Sequence, residues 1–261
     1  MGGGADGMSD RALVIVWPLL AQAFAILVVV STRPSPAMEL GVGESIGLSL
    51  FYVAFVSLAA LLMVYLIHRG RELALKVLTS LVLVYSAFIS LDTLLSYYLE
   101  VHWSLELALS ILMAWLSFRE DLLGNLAKSL LAASMAYLFA TLFNDTFIYF
   151  LLALLSVYDT YSVFRGPLSK LFSVSREPLR ALMVLQGDVG MGLGDVFCYS
   201  MASAVSFRSI RCPLCLIPMT LLNSGIVLTI YILTRRKRAL PGLSIPILLW
   251  LAPQLVLSNI P

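Results

Sequence analysis

Residues 151–164 read LLALLSVYDTYSVF and residues 188–205 read DVGMGLGDVFCYSMASAV, and each stretch encloses one aspartate, Asp159 or Asp195. An ionised carboxylate at the centre of a bilayer costs roughly 2.5–3.5 kcal/mol on insertion scales, and intramembrane acids therefore indicate function. Two such residues on consecutive apolar stretches indicate a pair. Paired carboxylates that share a proton are suited to acid–base chemistry.

The composition predicts that most of the chain lies in lipid. Of the 261 residues, 60% are hydrophobic and 12% are charged, whereas an ordinary soluble domain has about 25% charged residues. A soluble core of this length cannot cover so much apolar surface, so the solvent must be lipid. The net charge of +2 does not indicate a nucleic-acid partner.

Nine apolar runs of helical length predict an all-α, polytopic membrane protein with nine transmembrane helices. The predicted spans are 12–31, 45–67, 75–99, 103–118, 125–143, 146–164, 188–207, 213–234 and 241–258. Residues 1–261 are expected to form a single integral membrane domain. Within it, 1–11 is a flexible tail, 12–164 holds spans one to six, 165–187 is a cytoplasmic loop and 188–261 holds spans seven to nine.

The positive charges predict the orientation of these spans. With the N-terminus in the cytoplasm, 14 of the 17 Lys and Arg residues fall on the cytoplasmic side. Only Arg33, Arg208 and Arg211 fall outside. Because cytoplasmic loops carry the excess of Lys and Arg, this split favours a cytoplasmic N-terminus and an outside C-terminus.

This topology places Asp159 and Asp195 at a similar depth. Asp159 lies six residues before Arg165, or about 9 Å from the cytoplasmic end at a rise of 1.5 Å per residue. Asp195 lies seven residues after Asp188, where span seven is expected to begin, and is therefore about 10 Å deep. The two carboxylates should meet on neighbouring antiparallel helices.

Three glycines, Gly190, Gly192 and Gly194, precede Asp195 in the predicted span seven. Glycine inside a helix costs about 1 kcal/mol relative to alanine. The spacing of Gly190 and Gly194 lets another backbone come close, and plain helix packing would explain that spacing by itself. Three glycines that end on a buried aspartate favour close approach by span six or by an unwound substrate.

Three short motifs lie on spans six, seven and nine. They are Tyr158-Asp159, Gly192-Leu193-Gly194-Asp195 and Pro241-Gly242-Leu243. Together they resemble the GxGD intramembrane aspartyl proteases, specifically presenilin and its archaeal homologues, and the similarity extends over GLGDVFCYS (192–200). The family has alanine where this chain has Gly242, an exchange of one small residue for another that should preserve access to the backbone. Before span six the resemblance rests on topology alone.

The resemblance implies a presenilin-like fold and an aspartic endopeptidase that hydrolyses peptide bonds within transmembrane segments of membrane proteins. Asp159 and Asp195 would form the catalytic dyad that activates water. The implied substrate-binding residues are Tyr158, Gly192, Leu193, Gly194, Pro241, Gly242 and Leu243. No metal or cofactor and no nucleic acid is expected. The expected partners are transmembrane protein substrates and the lipid bilayer, and the oligomeric state, including a homo-oligomer, is left open. The archaeal homologues suggest a microbial plasma membrane.

Other classes of protein share parts of this pattern. Prepilin and preflagellin peptidases contain GxGD, but they usually have fewer spans and often a lysine soon after the motif, where this chain has Val196-Phe197. Signal peptide peptidases share both aspartate motifs but have the opposite orientation. A proton-coupled transporter also pairs intramembrane acids. Against it, the two acids lie at one depth, and we find no inverted repeat.

The segments that flank the aspartates suggest substrate docking. Residues 178–187, PLRALMVLQG, are apolar for a cytoplasmic loop. Leu182–Leu185 either forms a β-strand against the substrate or lies along the membrane surface, and the two hypotheses are equally favoured. Pro241 lacks an amide donor, so nearby carbonyls are expected to be free for an extended substrate.

Several other residues have a structural interpretation. Asp92 and Glu106 are more readily explained by polar neighbours or wet helix ends than by a proton path. Asp188 marks the predicted start of span seven. Cys212 and Cys215 form a CxxC without further ligands, so two small apolar residues at a helix start are favoured over a metal or redox site.

Overall fold

The structure, a computed structural model, describes residues 13–99, 102–164, 180–186, 189–236 and 240–258. Within these residues it contains nine α-helices and one two-stranded β-sheet. The helices are α1 (Val16–Thr32), α2 (Val42–His68), α3 (Glu72–Tyr98), α4 (Trp103–Ser117), α5 (Leu122–Leu142), α6 (Asp145–Phe164), α7 (Leu193–Ser209), α8 (Leu216–Arg236) and α9 (Ser244–Leu257). The strands are β1 (Met183–Gln186) and β2 (Val189–Gly192), which lie between α6 and α7.

Each predicted span overlaps one of these helices. Six helices are long and apolar enough to cross a membrane, and they are α1, α2, α3, α5, α6 and α8. Two further apolar helices, α4 and α9, are shorter, with 15 and 14 residues. The protein is therefore a mostly helical integral membrane protein.

Helix α7 packs between α1 and α5, and its composition explains this central position. Its buried face consists largely of small residues, among them Ser200, Ala202, Ser203, Ala204 and Ser206. Helices in lipid associate by close packing and by hydrogen bonds, because no hydrophobic force drives them together. Small side chains on α7 allow both neighbouring helices to approach it.

Buried polar side chains join α7 to the helices around it. Ser203 donates a hydrogen bond to Gln22 of α1 over 2.8 Å, and Gln22 donates to Asn223 of α8 over 3.1 Å. One turn further along, Ser206 donates to Gln254 of α9 over 2.8 Å. Such bonds contribute about 0.6 kcal/mol each on average within membrane proteins, so they mainly fix which helix faces meet.

The chain before α7 differs from the prediction. Span seven was expected to begin at Asp188, which lies outside the described residues, and the fold was expected to be purely helical. Instead Val189–Gly192 forms a strand antiparallel to Met183–Gln186, and α7 begins only at Leu193. The strand hypothesis for this region is confirmed within one residue, but the strand pairs with the chain itself. The alternative hypothesis, an irregular loop, is wrong for Met183–Gln186 because these residues form a strand. The predicted depth of Asp195 was counted from a helix start at Asp188, whereas α7 begins at Leu193.

Asn125 of α5 holds the outer edge of β1. Its side-chain amide donates to the Leu185 carbonyl over 2.7 Å and accepts from the Leu185 amide over 3.2 Å. Asn125 thus satisfies the edge at Leu185 as a third strand would. Opposite Leu185, a Cβ at Gly190 would lie 2.8 Å from the Leu185 side chain. The leucine and methionine side chains around Gly190 could shift to admit a Cβ, so glycine fits tightly here without being required. Because Gly190 lies in β2, the helix-packing interpretation of this residue is wrong.

Arg208, near the far end of α7, fastens the turn between α5 and α6. Its guanidinium donates to the carbonyls of Ala140 and Phe143 and to the carboxylate of Asp145. The distance from its Nε to Asp145 Oδ1 is 2.9 Å. Arg208 therefore satisfies carbonyls at the end of α5 and pairs with the acid at the start of α6. The sequence identified it only as an outside charge.

Cys212 and Cys215 form a disulfide in the turn before α8. Their interpretation as two small apolar residues is therefore wrong. The sequence pattern does not distinguish a disulfide from a pair of free thiols at this spacing. A disulfide is typical of a compartment outside the cytoplasm.

Candidate active site

Asp159 and Asp195 lie together where α6, α7 and the residues before α9 converge. Asp159 lies five residues before the end of α6 at Phe164, and Asp195 lies in the first turn of α7. Both side chains are half-buried, and the charge of Asp159 acts directly on Asp195. The structure thus brings together the two acids that the sequence singled out.

The first turn of α7 holds the carboxylate of Asp195. Gly192 is the N-cap of α7, in an extended conformation with φ −63° and ψ 139°. Its amide faces the Asp195 carboxylate, which lies at the third helical position, where an acid can approach the N-cap amide. The positive end of the helix dipole also favours a negative charge here. The GLGD motif therefore forms a strand end, a helix cap and one helical turn.

Two backbone amides hold the carboxylate of Asp159. They belong to Pro241–Leu243, called here the PGL segment. The Leu243 amide donates to Asp159 Oδ2 over 2.9 Å, and the neighbouring Gly242 amide faces the same carboxylate. Successive amides of this kind form a concave anion site. Pro241 and Leu243 are buried, so the segment packs into the protein and presents its amides to α6.

Gly242 also lies directly against Asp195. A Cβ at position 242 would lie 2.5 Å from Asp195 Oδ2 and 2.8 Å from its Cγ. Contacts this short do not occur between real Cβ atoms and their neighbours. In this conformation any side chain at 242 must displace the carboxylate or the PGL segment. Glycine therefore allows a closer approach to Asp195 than alanine would in this conformation, and the expected access to the backbone at Gly242 stays a prediction.

Two hydroxyl contacts anchor the PGL segment and its neighbour Ser244. The Tyr199 hydroxyl donates to the Gly242 carbonyl over 2.6 Å. Carbonyls in this region were expected to be free for a substrate, and this one already accepts a hydrogen bond. The Ser244 and Thr160 hydroxyl oxygens lie 2.5 Å apart, and Ser244 also donates to the Ser156 carbonyl over 3.3 Å. Of these residues, Tyr199, Ser244, Thr160 and Ser156 were not singled out from the sequence. For Tyr199, its spacing four residues after Asp195 was an available signal.

The other residues singled out by the sequence are placed as follows. Tyr158 is half-buried beside Asp159, and Leu193 packs against the main hydrophobic core. A Cβ at Gly194 would meet no atom within 4 Å, so this glycine makes no close backbone contact. Asp92 is exposed on α3 and Glu106 is buried on α4. Neither acid shares a helix with Asp159 or Asp195, and α3 and α4 pack on each other and on α5.

Comparison with solved structures identifies the fold as that of a presenilin-family protein. Two of them, in space groups C222 and P2, are each described as a presenilin family intramembrane aspartate protease. The first has a TM-score of 0.64 at 18% identity and matches over 95% of this chain and 98% of its own. The second has a TM-score of 0.58 at 21% identity, over 93% of this chain and 96% of its own.

No protein-family model matches the chain, and no curated protein matches it. The predicted presenilin-like fold is thus confirmed by structure at low sequence identity. Because one fold can carry several activities, the function has to be argued from the residues of the site.

Proposed function

We propose that this protein is an intramembrane aspartic endopeptidase that hydrolyses peptide bonds within transmembrane segments of membrane proteins. One observation carries the proposal: two half-buried carboxylates, Asp159 and Asp195, lie on adjacent helices of a presenilin-like fold, and both lie directly against the PGL segment. Acids at membrane depth are costly and are kept mainly for function. Amides from the GLGD and PGL motifs hold both carboxylates.

The pair has the parts that peptide hydrolysis requires. Two neighbouring carboxylates that share one proton provide a base and an acid at the same time. The ionised carboxylate takes a proton from a water molecule, whose oxygen attacks the peptide carbon. The protonated one gives its proton to the carbonyl oxygen, which leaves a neutral tetrahedral diol. As this diol collapses, the first carboxyl gives its newly gained proton to the leaving nitrogen, and the second carboxylate takes a proton from one of the diol hydroxyls. Amides that hold each carboxylate separately preorganise this geometry.

The hairpin suggests where an extended substrate binds. Both backbone groups of Leu185 point to Asn125 and away from β2, so Leu185 and Gly190 form a non-hydrogen-bonded pair. The amide and carbonyl of Gly190 then also point outward, at the edge of β2 that no other strand covers within the part of the chain that the structure describes. We place the substrate strand at β2, where strand addition would lead it towards Asp195. This revises the sequence hypothesis, in which the substrate paired with Leu182–Leu185.

Hydrogen exchange tests this docking edge. A peptide-like aspartic-protease inhibitor should slow exchange of the Gly190 amide and leave the Leu185 amide unchanged, because Asn125 already protects the latter. Slower exchange at Leu185 alone would move the docking edge to β1. Unchanged exchange at both amides would remove strand addition from the proposal.

The proposal includes a topology in which all nine helices cross the membrane as one domain, with the N-terminus in the cytoplasm and the C-terminus outside. The positive charges support it, since 14 of 17 lie on the predicted cytoplasmic side. The disulfide before α8 falls on the predicted outside face, where disulfides persist. A membrane-impermeant reagent should reach a cysteine introduced at Ser35 from outside the cell and one introduced at Glu72 only after permeabilisation.

Cleavage of a single-span peptide by the purified protein tests the enzymatic function. Asp159→Asn and Asp195→Asn should each lower cleavage by at least about 10³-fold, since members of a catalytic unit fail together. Asp92→Asn, which changes an exposed acid on α3, should keep wild-type cleavage. Cleavage by either variant would show that Asp159 and Asp195 do not act together as the catalytic dyad. Wild-type protein that moves ions in liposomes and cleaves nothing would favour the transporter.

A further inference from the structure

Tyr199 is a buried tyrosine to which the proposed reaction assigns no role. It lies one turn after Asp195 on α7 with 1% of its surface exposed, and its hydroxyl donates to the Gly242 carbonyl over 2.6 Å. We propose that Tyr199 is a positioning residue that holds the PGL segment against both aspartates. The inference rests on the proposed function, because its effect on rate presupposes a working dyad.

Gly242 is the point at which the contacts around the dyad meet. Its amide faces Asp159, its carbonyl accepts from Tyr199, and its Cα faces Asp195 so closely that no Cβ fits without a shift. A shift of Gly242 therefore changes the surroundings of both carboxylates at once. Tyr199 and Asp195, four residues apart on α7, lie on one face of that helix and reach the same glycine.

The other anchors of this region attach it to a different helix. Leu243 bonds to Asp159, and Ser244 contacts Thr160 and Ser156, all on α6. Among the hydrogen bonds of the described residues, the one from Tyr199 joins the PGL segment to α7. Without it the segment would stay attached to α6, but its position relative to Asp195 would no longer be fixed by a hydrogen bond. Tyr199 therefore sets the relation between the two halves of the dyad.

The variant Tyr199→Phe keeps the ring and removes the hydroxyl. Because it leaves the Gly242 carbonyl without its donor, kcat should fall roughly tenfold, while KM stays within about twofold, since the β2 edge is unchanged. The matched control is Tyr137→Phe. Tyr137 is a buried tyrosine of α5 with 3% exposure, and its hydroxyl faces Thr32 of α1 and not the PGL segment. The control should keep the wild-type kcat, and both variants should melt at similar temperatures.

Hydrogen exchange gives a measurement that does not depend on activity. The Gly242 and Leu243 amides should exchange roughly tenfold faster in Tyr199→Phe than in wild type or in Tyr137→Phe, because local opening becomes easier. Unchanged exchange would overturn the anchoring role, whatever the activity. Faster exchange with unchanged kcat would overturn the positioning role. Faster exchange in a protein whose wild type cleaves nothing would sustain the anchor and reject the proposed protease.

A double-mutant cycle separates positioning from general damage. Ser244→Ala removes the anchor on α6, and Tyr199→Phe removes the anchor on α7. Since each anchor partly compensates for loss of the other, the double variant should lose at least about fivefold more kcat than the product of the single losses. A double loss equal to that product would show that Tyr199 acts independently of the PGL segment and would overturn the proposal.

Discussion

Asp159 and Asp195 are the same residue type and both lie against the PGL segment, yet two different kinds of structure hold them. Asp159 stands on a continuous helix, and its amide donor Leu243 is 84 residues away in sequence. Asp195 stands at a junction of strand and helix, and its amide donor Gly192 is three residues away. The first carboxylate depends on the docking of α9, and the second on local geometry.

This difference indicates that the two halves of the pair can be disturbed separately. Local changes at the junction should affect Asp195 first. Changes that loosen α9 should affect Asp159 first, because its two amides come from the PGL segment. Gly242 is the exception, since its amide faces one carboxylate and its Cα faces the other. A substitution at Gly242 should therefore have the largest effect.

The variant Gly242→Ala tests whether both halves meet at this residue. The added Cβ would lie 2.5 Å from Asp195 Oδ2, so the carboxylate or the segment must move by about an ångström. A displacement of that size at a reacting group costs about 10²-fold in rate, and we expect kcat to fall by that factor in the cleavage assay. Gly47→Ala on α2, where a Cβ meets nothing within 4 Å, is the matched control. Full activity of Gly242→Ala would mean that the segment leaves Asp195 before the reaction.

A pair of variants at Gly192 tests the local half of the site. Gly192→Ala and Gly192→Pro both add a Cβ, 3.3 Å from Asp195 Oδ2, but only proline removes the amide hydrogen that faces this carboxylate. The Gly192 φ of −63° suits proline, and Gly192 pairs with Met183 at a non-hydrogen-bonded position. A hydrogen bond to a charged group contributes about 1.5–3 kcal/mol, so kcat should be at least about tenfold lower for proline than for alanine. Equal rates would show that the Gly192 amide does not support Asp195.

The sequence revealed the aspartates because they break an energetic rule, and no comparable rule points to their surroundings. A charge inside an apolar stretch is visible to anyone who reads the chain, and so are apolar runs long enough to form helices. The stretch Val189–Gly192 is a short apolar run, which periodicity cannot assign to strand or helix. Treating it as helix placed Gly190 and Gly194 in a packing motif that the structure does not contain.

Contacts between distant residues explain the remaining differences. Asn125 and Leu185 are 60 residues apart, and Tyr199 and Gly242 are 43 apart, so no local pattern reports them. The sequence interpretation considered only the size of the residue at 242. Its role depends also on the distance to Asp195, since a Cβ at 242 would lie 2.5 Å from Asp195 Oδ2. Such gaps are set by how α6, α7 and α9 pack, which depends on the whole fold.

The variant Asn125→Ala tests whether the hairpin supports the junction at Asp195. It leaves the Leu185 amide and carbonyl without partners, at about 1–3 kcal/mol for a buried unsatisfied group. We expect a lower melting temperature in detergent and a severalfold lower kcat. Ser129→Ala, one turn further along α5, removes a buried hydroxyl bonded to its own helix and should change neither by as much. Equal effects of the two variants would show that the hairpin does not support the site at Asp195.

The smallest expected effect is a pH dependence at the start of α5, the helix that carries Asn125. Asp121 caps this helix: its Oδ1 accepts from the Gly124 amide over 2.9 Å, and its Oδ2 accepts from Arg119. The Gly124 amide, and then Arg119, hold the pKa of Asp121 below its ordinary value of 3.8. The ionised cap therefore stabilises the folded state above that value, and this contribution is lost as the pH falls through the lower pKa of the folded state.

The measurement is the melting temperature of wild type, Asp121→Ala and Asp121→Asn between pH 3 and pH 7. Because the carboxyl is exposed, the difference between wild type and Asp121→Ala should be small near neutral pH and should shrink below about pH 4. Asparagine caps helices without titrating, so the difference between Asp121→Asn and Asp121→Ala should not change with pH. If wild type and Asp121→Ala melt together at every pH, the position of α5 depends on packing alone. The support that Asn125 gives to the hairpin, and through it to Asp195, would then come from tertiary packing rather than from a local helix cap. Both aspartates would in that case depend on contacts between distant parts of the chain.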